Sequence, residues 1–265
     1  MNNVSASLIK ELRELTGSGI MECKKALLQS NGNIEIAIDN MRKAGKTQVA
    51  KKSIRIAKEG CILIEVKDNK GIMIEINCET DFVSRDEIFL TFCKEVLHTA
   101  NKQNILSIEV LQQKYEDKLS LLMSQFKENI VIRRMVFLQE DHIGFYIHGS
   151  RIGVLISAIN AKPNFIKQIA MHIAASKPDY ISNKDIPAKI IEREYQIQRE
   201  LVLQKNKSIE IENKIIEGKM KKFTDEISLV NQKFIFDNTK TVGHILREEQ
   251  ATVKKFFRFE LGEAI

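Results

Sequence analysis

The sequence predicts an α+β fold: an N-terminal three-helix unit, a core of two similar halves that each combine an antiparallel sheet with helices, and a protruding antiparallel helical hairpin. Residues 5–45 carry apolar side chains at helical spacing, interrupted by two glycine-containing breaks. Further along, a pattern of strands followed by a helix occurs twice. Residues 187–223 then read as two charged amphipathic helices around a polar turn.

The N-terminal helices are separated by short breaks. Ser5 or Ser7 is suited to cap a first helix with apolar positions at Leu8, Ile9, Leu12 and Leu15. The breaks fall at 16–19 and 31–33, and a third helix carries Ile34, Ala37, Ile38 and Met41 on one face. We therefore expect a compact three-helix domain that ends near Gly45.

The first half of the core begins with alternating residues that predict a β-hairpin over 61–78, with a turn at 68–71. Ser84 to Glu87 has the spacing of a capping box, which predicts a helix that begins near Arg85. Another helix is expected over 107–127.

The order of strands followed by a helix then recurs and leads into the second half. Apolar patterns predict strands at 130–138, 143–148 and 153–159, and Pro163 marks the start of a helix. Residues 92–100 align with 166–174 at a constant offset, which indicates weak internal symmetry. A helix near 241–249 and a strand over 256–261 complete this half. We expect domains at 1–55 with a basic linker, 56–140, 141–186, 187–226 for the hairpin, and 227–265 for the return to the core.

The hairpin over 187–223 begins with Pro187 at an expected first helical position. Lys205 to Lys207 form the turn, and Ser208 is suited to cap the second helix. Each helix has a narrow apolar stripe among charges. The pattern fits an interaction arm, and it also fits a hairpin that folds back on its own domain.

Composition limits the class of protein. The chain has 265 residues, 43% of them apolar and 29% charged, as in an ordinary folded protein. No apolar run approaches the ~20 residues that span a bilayer. The N-terminus reads as an amphipathic helix rather than a signal peptide. We expect a soluble, cytoplasmic protein of about two domains.

The formal net charge is +6, and the sequence pI is near 9.0. A basic protein can bind nucleic acid through phosphates. The abundance of Ile, Lys and Asn offers a compositional explanation, since an AT-rich genome favours these residues. The basic run over 42–58 is thus either a solvated segment or a surface for an acidic partner, and no dedicated nucleic-acid site is predicted.

Motifs of catalysis are missing from the sequence. Gly45-Lys46-Thr47 resembles the end of a phosphate-binding loop, but Asn40 stands where that motif needs glycine, and a helix precedes it instead of a strand. The four cysteines have no metal-ligand spacing, and no two histidines share a helix at i, i+4. His98 and His172 fit core positions on helices. We therefore expect no metal, no cofactor and no enzymatic chemistry.

The most unusual segment runs from Asn77 to Val83. Thr80 to Val83 must lie between the end of a strand and the start of a helix, where the apolar pair Phe82-Val83 follows the carboxylate of Asp81. Phe82 either folds back onto the next helix as a hydrophobic staple or is presented to a partner as an aromatic anchor. The spacing leaves both interpretations open.

The chain resembles the elongation factor Ts family of bacterial translation. The resemblance rests on segments that occur in order along nearly the whole length: ELRELTGSGIMECKKAL at 11–27, NGNIEIAIDNMRKAG at 31–45, NCETDFVSRDE at 77–87, HGSRIGVLI at 148–156, MHIAASKPDYI at 171–181, EGKMKKFTDEISL at 217–229 and FFRFELGEAI at 256–265. One match of this kind would be weak, but the ordered set is highly specific.

The resemblance implies a guanine nucleotide exchange factor for elongation factor Tu. Such a protein binds the GDP complex, promotes GDP release and leaves once GTP binds. The TDFV loop of the family matches Thr80, Asp81, Phe82 and Val83, and is associated with dislodging Mg²⁺ from the partner. Secondary contacts are implied at Arg13, Ile20, Met21 and His148, the first three in a ubiquitin-associated-like N-terminal domain. The hairpin resembles the coiled-coil arm of the family, which leaves contact with the partner or self-association as its role.

The chain also departs from the family pattern. It ends at Ile265, whereas some members continue with a further helix. Glu79 stands where many members have Gln, and Ile20 where Met is frequent. Two rival functions stay open: an RNA- or ribosome-binding protein that uses residues 42–58, and an enzyme that uses Cys78 or Asp81.

Overall fold

The computed structural model describes residues 4–16, 19–41, 55–203 and 209–264. Helices α1 (Ala6–Thr16), α2 (Ile20–Gln29) and α3 (34–41) form the N-terminal unit. Their shared core consists of buried Leu12, Cys23, Ala26, Leu27 and Ala37. Ser5 caps α1, because its Oγ accepts a hydrogen bond from the backbone N–H of Leu8 at 3.2 Å. Leu15 was expected on the apolar face but is 63% exposed.

The first half of the core is a three-stranded antiparallel sheet with helices on one face. Strands β1 (Glu59–Lys67), β2 (Lys70–Cys78) and β3 (Val131–Gln139) lie in the order β1-β2-β3. Between β2 and β3 come α4 (Asp81–Ser84), α5 (Glu87–Lys102) and α6 (Ile108–Phe126). The turn before β2 is tighter than predicted: only Asp68 and Asn69 form it, both with positive φ, as a two-residue hairpin turn requires.

The register of β1 and β2 buries both faces of the hairpin. Ile62 lies opposite Glu75, while Leu63 lies opposite Ile74, so the two apolar sets predicted from the alternation point to opposite faces. Ile72, Ile74 and Ile76 pack with α5 and α6, whereas Ile62 and Met73 pack towards the second half of the core.

The second half has the same arrangement. Strands β4 (Ile143–His148), β5 (Ile152–Ile159) and β8 (Thr252–Glu260) form an antiparallel sheet in the order β4-β5-β8. Helix α7 (Pro163–Ser176) follows the central strand, as α5 follows β2, and Pro163 is at its first turn. The short β6 (Lys233–Phe234), β7 (Asp237–Thr241) and α10 (Val242–Glu248) precede β8. The predicted internal symmetry is therefore visible in the order of strands and helices.

The two sheets pack through a small apolar layer. Its buried residues are Ile62, Met73, Leu138, Leu155, Phe259 and Leu261. Gly153 permits this approach, because a Cβ at that position would lie 2.5 Å from Ile62 Cγ2 and 2.8 Å from Met73 Sδ. This layer is a third cluster of buried residues, distinct from the cluster within each half.

The hairpin consists of α8 (Ala188–Leu203) and α9 (Ile209–Ile227). Lys219 Nζ donates a hydrogen bond to Gln198 Oε1 across it at 2.8 Å. Ile197 and Leu201 are 41% and 45% exposed, so neither side chain is buried against the rest of the chain. Pro187 precedes α8 instead of opening it, and its carbonyl accepts the first helical hydrogen bonds. The predicted turn at 205–207 and the cap at Ser208 lie outside the described residues.

Two further local predictions are wrong. Ser84 does not cap α5: the Ser84 hydroxyl donates to the Asp81 carbonyl at 3.0 Å, and Asp86 Oδ1 accepts from the Ile88 N–H at 2.8 Å. The chain makes one helical turn in α4 before the helix proper begins. His98 is exposed, because the apolar face of α5 passes through Phe92, Val96 and Ala100.

Candidate functional site

The Thr80–Val83 segment begins two residues after β2 ends. Thr80 has extended backbone angles and precedes the single turn of α4. Val83 is buried against the core of the first half, whereas the neighbouring Phe82 side chain is 83% exposed. Asp81 points to the surface and forms an ion pair with Arg85 at 3.2 Å. The segment therefore presents an aromatic ring and a carboxylate to solvent, while Val83 fixes it to the core.

The exposure of Phe82 decides between the two interpretations of its role. A hydrophobic staple would bury the ring against the following helix. With 83% of its surface accessible, Phe82 makes no such contact. Since an aromatic side chain gains several kcal/mol on burial at about 25 cal/mol per Å² of apolar surface, this ring is suited to enter a pocket on another molecule.

A pair of carboxylates holds the backbone before Phe82. Glu128, two residues after α6, accepts hydrogen bonds from the N–H groups of Glu79 and Thr80, both at 3.0 Å, and from the Thr80 hydroxyl at 2.6 Å. In return, Glu79 Oε1 accepts from the Asn129 N–H at 2.7 Å. Arg55 lies 3.6 Å from the same Glu79 oxygen. Both carboxylates therefore fix the start of the segment to the end of α6.

Cys78 contributes as a hydrogen-bond donor. Its Sγ lies 3.2 Å from the Thr80 carbonyl oxygen, to which it donates. Burial, followed by the charge of Glu128, raises the pKa of the Cys78 thiol to about 12. The thiol is therefore protonated at neutral pH and has no exposed surface, and both properties argue against Cys78 as the nucleophile of the enzyme hypothesis.

The N-terminal unit has its own exposed apolar surface. Ile20 and Met21 are 54% and 75% exposed at the start of α2. Ile20 and Arg13 line a cavity of about 280 Å³ together with Ala6, Ile9 and Lys10. Glu22 forms an ion pair with Lys127 at 3.6 Å, next to Glu128. This contact links the exposed residues of α2 to the end of α6, where the Thr80–Val83 segment is also held.

His148 lies elsewhere, at the end of β4 in the second sheet. It is exposed, and its Nδ1 is 3.1 Å from the hydroxyl of Tyr146. The following turn places Gly149 and Ser150 at positive φ, and the Ser150 carbonyl accepts from the Ile62 N–H at 2.8 Å. The turn after His148 therefore contacts β1, the strand that pairs with β2, and β2 ends two residues before Thr80.

Sequence reasoning missed two features. Glu128 was not singled out, although a polar Glu-Asn pair between a helix and an apolar strand is a usable signal. Ile235 and Phe236, between β6 and β7, are 43% and 51% exposed. Asp237 and Asn238 are residue types that favour turns although they lie in β7 here, and their position after this apolar pair could have indicated the second exposed aromatic.

The described ranges contain neither a candidate metal site nor a candidate membrane-spanning helix. Histidine, cysteine and acidic side chains there form no group of three that could hold a metal ion. Among the helices in the same ranges, none has both the length and the apolar character to cross a bilayer.

The structure presents a solvent-exposed aromatic on a firmly held turn and, on the N-terminal unit, an exposed apolar helix start. Such features are typical of a protein that acts by binding another protein. Comparison with known proteins identifies the family of this chain. A sequence model of the family described as Elongation factor TS matches residues 79–263. The chain belongs to the elongation factor Ts family.

Relatives support this assignment over the full length. The proteins called Elongation factor Ts from Hamiltonella defensa and Photorhabdus laumondii are 49% and 51% identical over 267 aligned residues, which cover 100% of this chain and 93% and 94% of those proteins. The protein of that name from Yersinia pestis is 50% identical over 264 residues, with 99% of this chain and 93% of the relative covered.

Proposed function

We propose that this protein is a guanine nucleotide exchange factor for elongation factor Tu in translation elongation. It binds the GDP complex, dislodges Mg²⁺, promotes GDP release and leaves when GTP binds. Membership of the elongation factor Ts family supports this proposal. The single observation that carries it is the exposure of Phe82 on a segment whose start is held by five hydrogen bonds and whose end is anchored by buried Val83.

The role needs no chemistry of the factor's own. GDP is held on a GTPase largely by Mg²⁺ and by contacts to its phosphates. A protein that binds the nucleotide-poor conformation more tightly weakens GDP binding, and linkage makes GDP weaken its binding by the same factor. A tenfold effect corresponds to about 1.4 kcal/mol of coupling. A single buried aromatic at an interface contributes about 2 kcal/mol or more.

We assign roles to individual residues from the family resemblance, and their exposure or burial supports these roles. Phe82 enters between elements of the partner as a wedge, and Asp81 competes for or reorients groups near the Mg²⁺ site. Thr80 and Val83 fix the segment. Arg13, Ile20, Met21 and His148 make secondary contacts with the partner.

The hairpin of α8 and α9 either adds to the partner surface or joins two copies of the chain. Its exposed Ile197, Leu201 and Ile209 suit both roles. As a translation factor the protein acts in the cytoplasm.

The test is the release of fluorescent GDP from purified elongation factor Tu, measured by stopped flow with and without this protein. We expect release to accelerate with increasing concentration of the protein. No acceleration with the cognate partner would refute exchange. Tight RNA binding that weakens steeply with salt, together with no effect on the GTPase, would instead favour the RNA-binding alternative.

A further inference from the structure

Glu128 is the acceptor of three hydrogen bonds from the two residues that precede Asp81. Its Oε2 lies 3.0 Å from the backbone nitrogens of Glu79 and Thr80, and its Oε1 lies 2.6 Å from Thr80 Oγ1. Hydrogen bonds to a charged acceptor are the stronger class. A single side chain therefore provides acceptors for every donor on the backbone between the end of β2 and Asp81.

The position of Glu128 is itself fixed. Lys127 adopts a left-handed conformation and ends α6, which turns the chain back towards β2. Asn129 and Ile130 follow as buried residues, and the Asn129 side chain donates to the Arg55 carbonyl at 2.8 Å. Glu128 is thus followed directly by buried residues, and only Lys127 separates it from the end of α6.

The arrangement is reciprocal. Glu79 Oε1 accepts from the Asn129 N–H at 2.7 Å, while Glu128 accepts from the Glu79 N–H. Two loops that are about 50 residues apart in sequence therefore hold each other. Because a segment that is already ordered loses less entropy on binding, such a contact favours association through the side chain that it orients.

We propose that Glu128 is a positioning residue for the partner-binding segment: through its three hydrogen bonds to Glu79 and Thr80, it holds Phe82 in the orientation that enters the partner. This inference rests on the proposed exchange function. Glu128 acts through Phe82 and makes no contact with nucleotide or Mg²⁺.

The first test needs no partner. The chain contains no tryptophan, so Phe82→Trp creates a protein with one fluorescent indole at the exposed position. Adding Glu128→Ala should lower the fluorescence anisotropy of that indole and accelerate amide hydrogen exchange at Glu79 and Thr80 by about tenfold or more. Unchanged anisotropy and unchanged exchange in this variant would overturn the proposal.

Two further substitutions at Glu128 and one control distinguish the placement of its hydrogen-bonding atoms from its negative charge. Glu128→Gln keeps a side-chain oxygen that accepts from the two backbone N–H groups, and its NH₂ group can donate to the Thr80 hydroxyl. It should therefore keep most of the order of the segment that Glu128→Ala loses. Glu128→Asp keeps the charge but withdraws the carboxylate by one methylene, so it should resemble Glu128→Ala; it also serves if the alanine variant does not fold. Glu140→Ala removes an exposed carboxylate after β3 and should change neither readout.

The second test is a double-mutant cycle on GDP release. Glu128→Ala should reduce the acceleration by about tenfold when Phe82 is present and by less than about twofold in a Phe82→Ala background. Equal losses in both backgrounds would show that Glu128 does not act through Phe82. If the unmodified protein gives no acceleration, the exchange function fails, whereas anisotropy and hydrogen exchange still decide whether Glu128 positions the segment.

Discussion

Arg134 Nε donates a hydrogen bond to Glu75 Oε2 at 2.6 Å, and the Glu75 side chain has no exposed surface. The same carboxylate accepts from Arg133 at 2.9 Å and from the Gly262 N–H at 3.0 Å. Arg134 also donates to the Glu260 carbonyl at 3.1 Å. The pair therefore joins β2 and β3 of the first sheet to the chain at and just beyond the end of β8.

Removing the Glu75 carboxylate should be among the most destabilising single changes. Glu75→Ala leaves Arg133 and Arg134 without their buried acceptor, and loss of one partner from a buried ion pair costs about 3–5 kcal/mol. Urea unfolding measures the loss. Lys118→Ala, which breaks an exposed pair with Glu95, is the control and should change the unfolding free energy by less than about 1 kcal/mol. A Glu75→Ala loss no larger than that of the control would contradict the structure.

The same carboxylate gives stability an acid dependence. Burial raises the pKa of Glu75, but hydrogen bonds from Gly262, Asn77 and Arg134 outweigh this and lower the pKa below its ordinary value of 4.5. Because the folded pKa is the lower one, the contribution is fully present above about pH 4.5 and is lost as pH falls through the folded pKa. Unfolding measured from pH 7 to pH 3 should show this loss, and a Glu75→Ala protein should show less of it.

His172 should make the protein less stable in mild acid. Burial lowers the pKa of His172 below 6.5, and the hydrogen bond to Gln232 opposes this only in part. Nδ1 accepts from the Ile235 N–H at 3.3 Å, so Nε2 carries the proton and donates to Gln232 Oε1 at 2.9 Å. The unfolded state gains a proton below pH 6.5 while the folded state does not, so stability falls as pH drops below that value.

Urea unfolding at pH 7.5 and pH 5.5 checks the role of His172. His172→Gln should reduce the difference between the two pH values, whereas a substitution at exposed His98 should leave it unchanged. An equal difference in the unmodified protein and in His172→Gln would rule out the buried histidine as its source.

Two glycines should respond in opposite directions to alanine. Gly153→Ala places a methyl group 2.5 Å from Ile62 Cγ2 between the sheets, which should cost about 1–3 kcal/mol. Gly218→Ala, within α9 and with no atom within 4 Å of the added Cβ beyond its chain neighbours and its own helix backbone, should stabilise the protein by up to about 1 kcal/mol. Thermal unfolding of both variants tests the packing, and a neutral Gly153→Ala would show that the sheets lie further apart.

The exposed start of α2 should contribute to partner affinity. Met21→Ala removes a side chain that is 75% exposed, so the free energy of unfolding should change little. The free energy of binding to elongation factor Tu should become less favourable by about 1 kcal/mol or more. Titration calorimetry provides the measurement. Ile36→Ala, at an exposed residue of α3, is the matched control, and equal affinity losses in both variants would remove Met21 from the interface.

Local patterns predicted much of this molecule. Alternation predicted the β1–β2 hairpin, and Pro163 marked the start of α7, because both signals depend on neighbours in sequence. An apolar helix face also predicted that His172 is buried. The single turn of α4 is too short to show a helical spacing of apolar residues in the sequence. The cap of α5 was therefore predicted at the wrong residue.

The candidate site was predicted less completely. The unusual composition of 77–83 drew attention to Phe82, but its exposure depends on where Val83 packs. The three hydrogen bonds that Glu128 accepts link residues that are 48 or 49 positions apart, and Gly262 lies 187 positions from Glu75. Contacts at such separations follow from tertiary packing, which single-sequence patterns do not encode.

The most direct test of the account compares the exchange activity and the stability of Phe82→Ala. Its ring is 83% exposed, so the variant should unfold at nearly the same temperature as the unmodified protein. The rate of GDP release from elongation factor Tu should nevertheless fall by about tenfold or more, while Leu106→Ala, which truncates a 51% exposed side chain between α5 and α6, should retain full activity. Undiminished GDP release by Phe82→Ala, or a loss of activity matched by an equal loss of stability, would contradict the wedge.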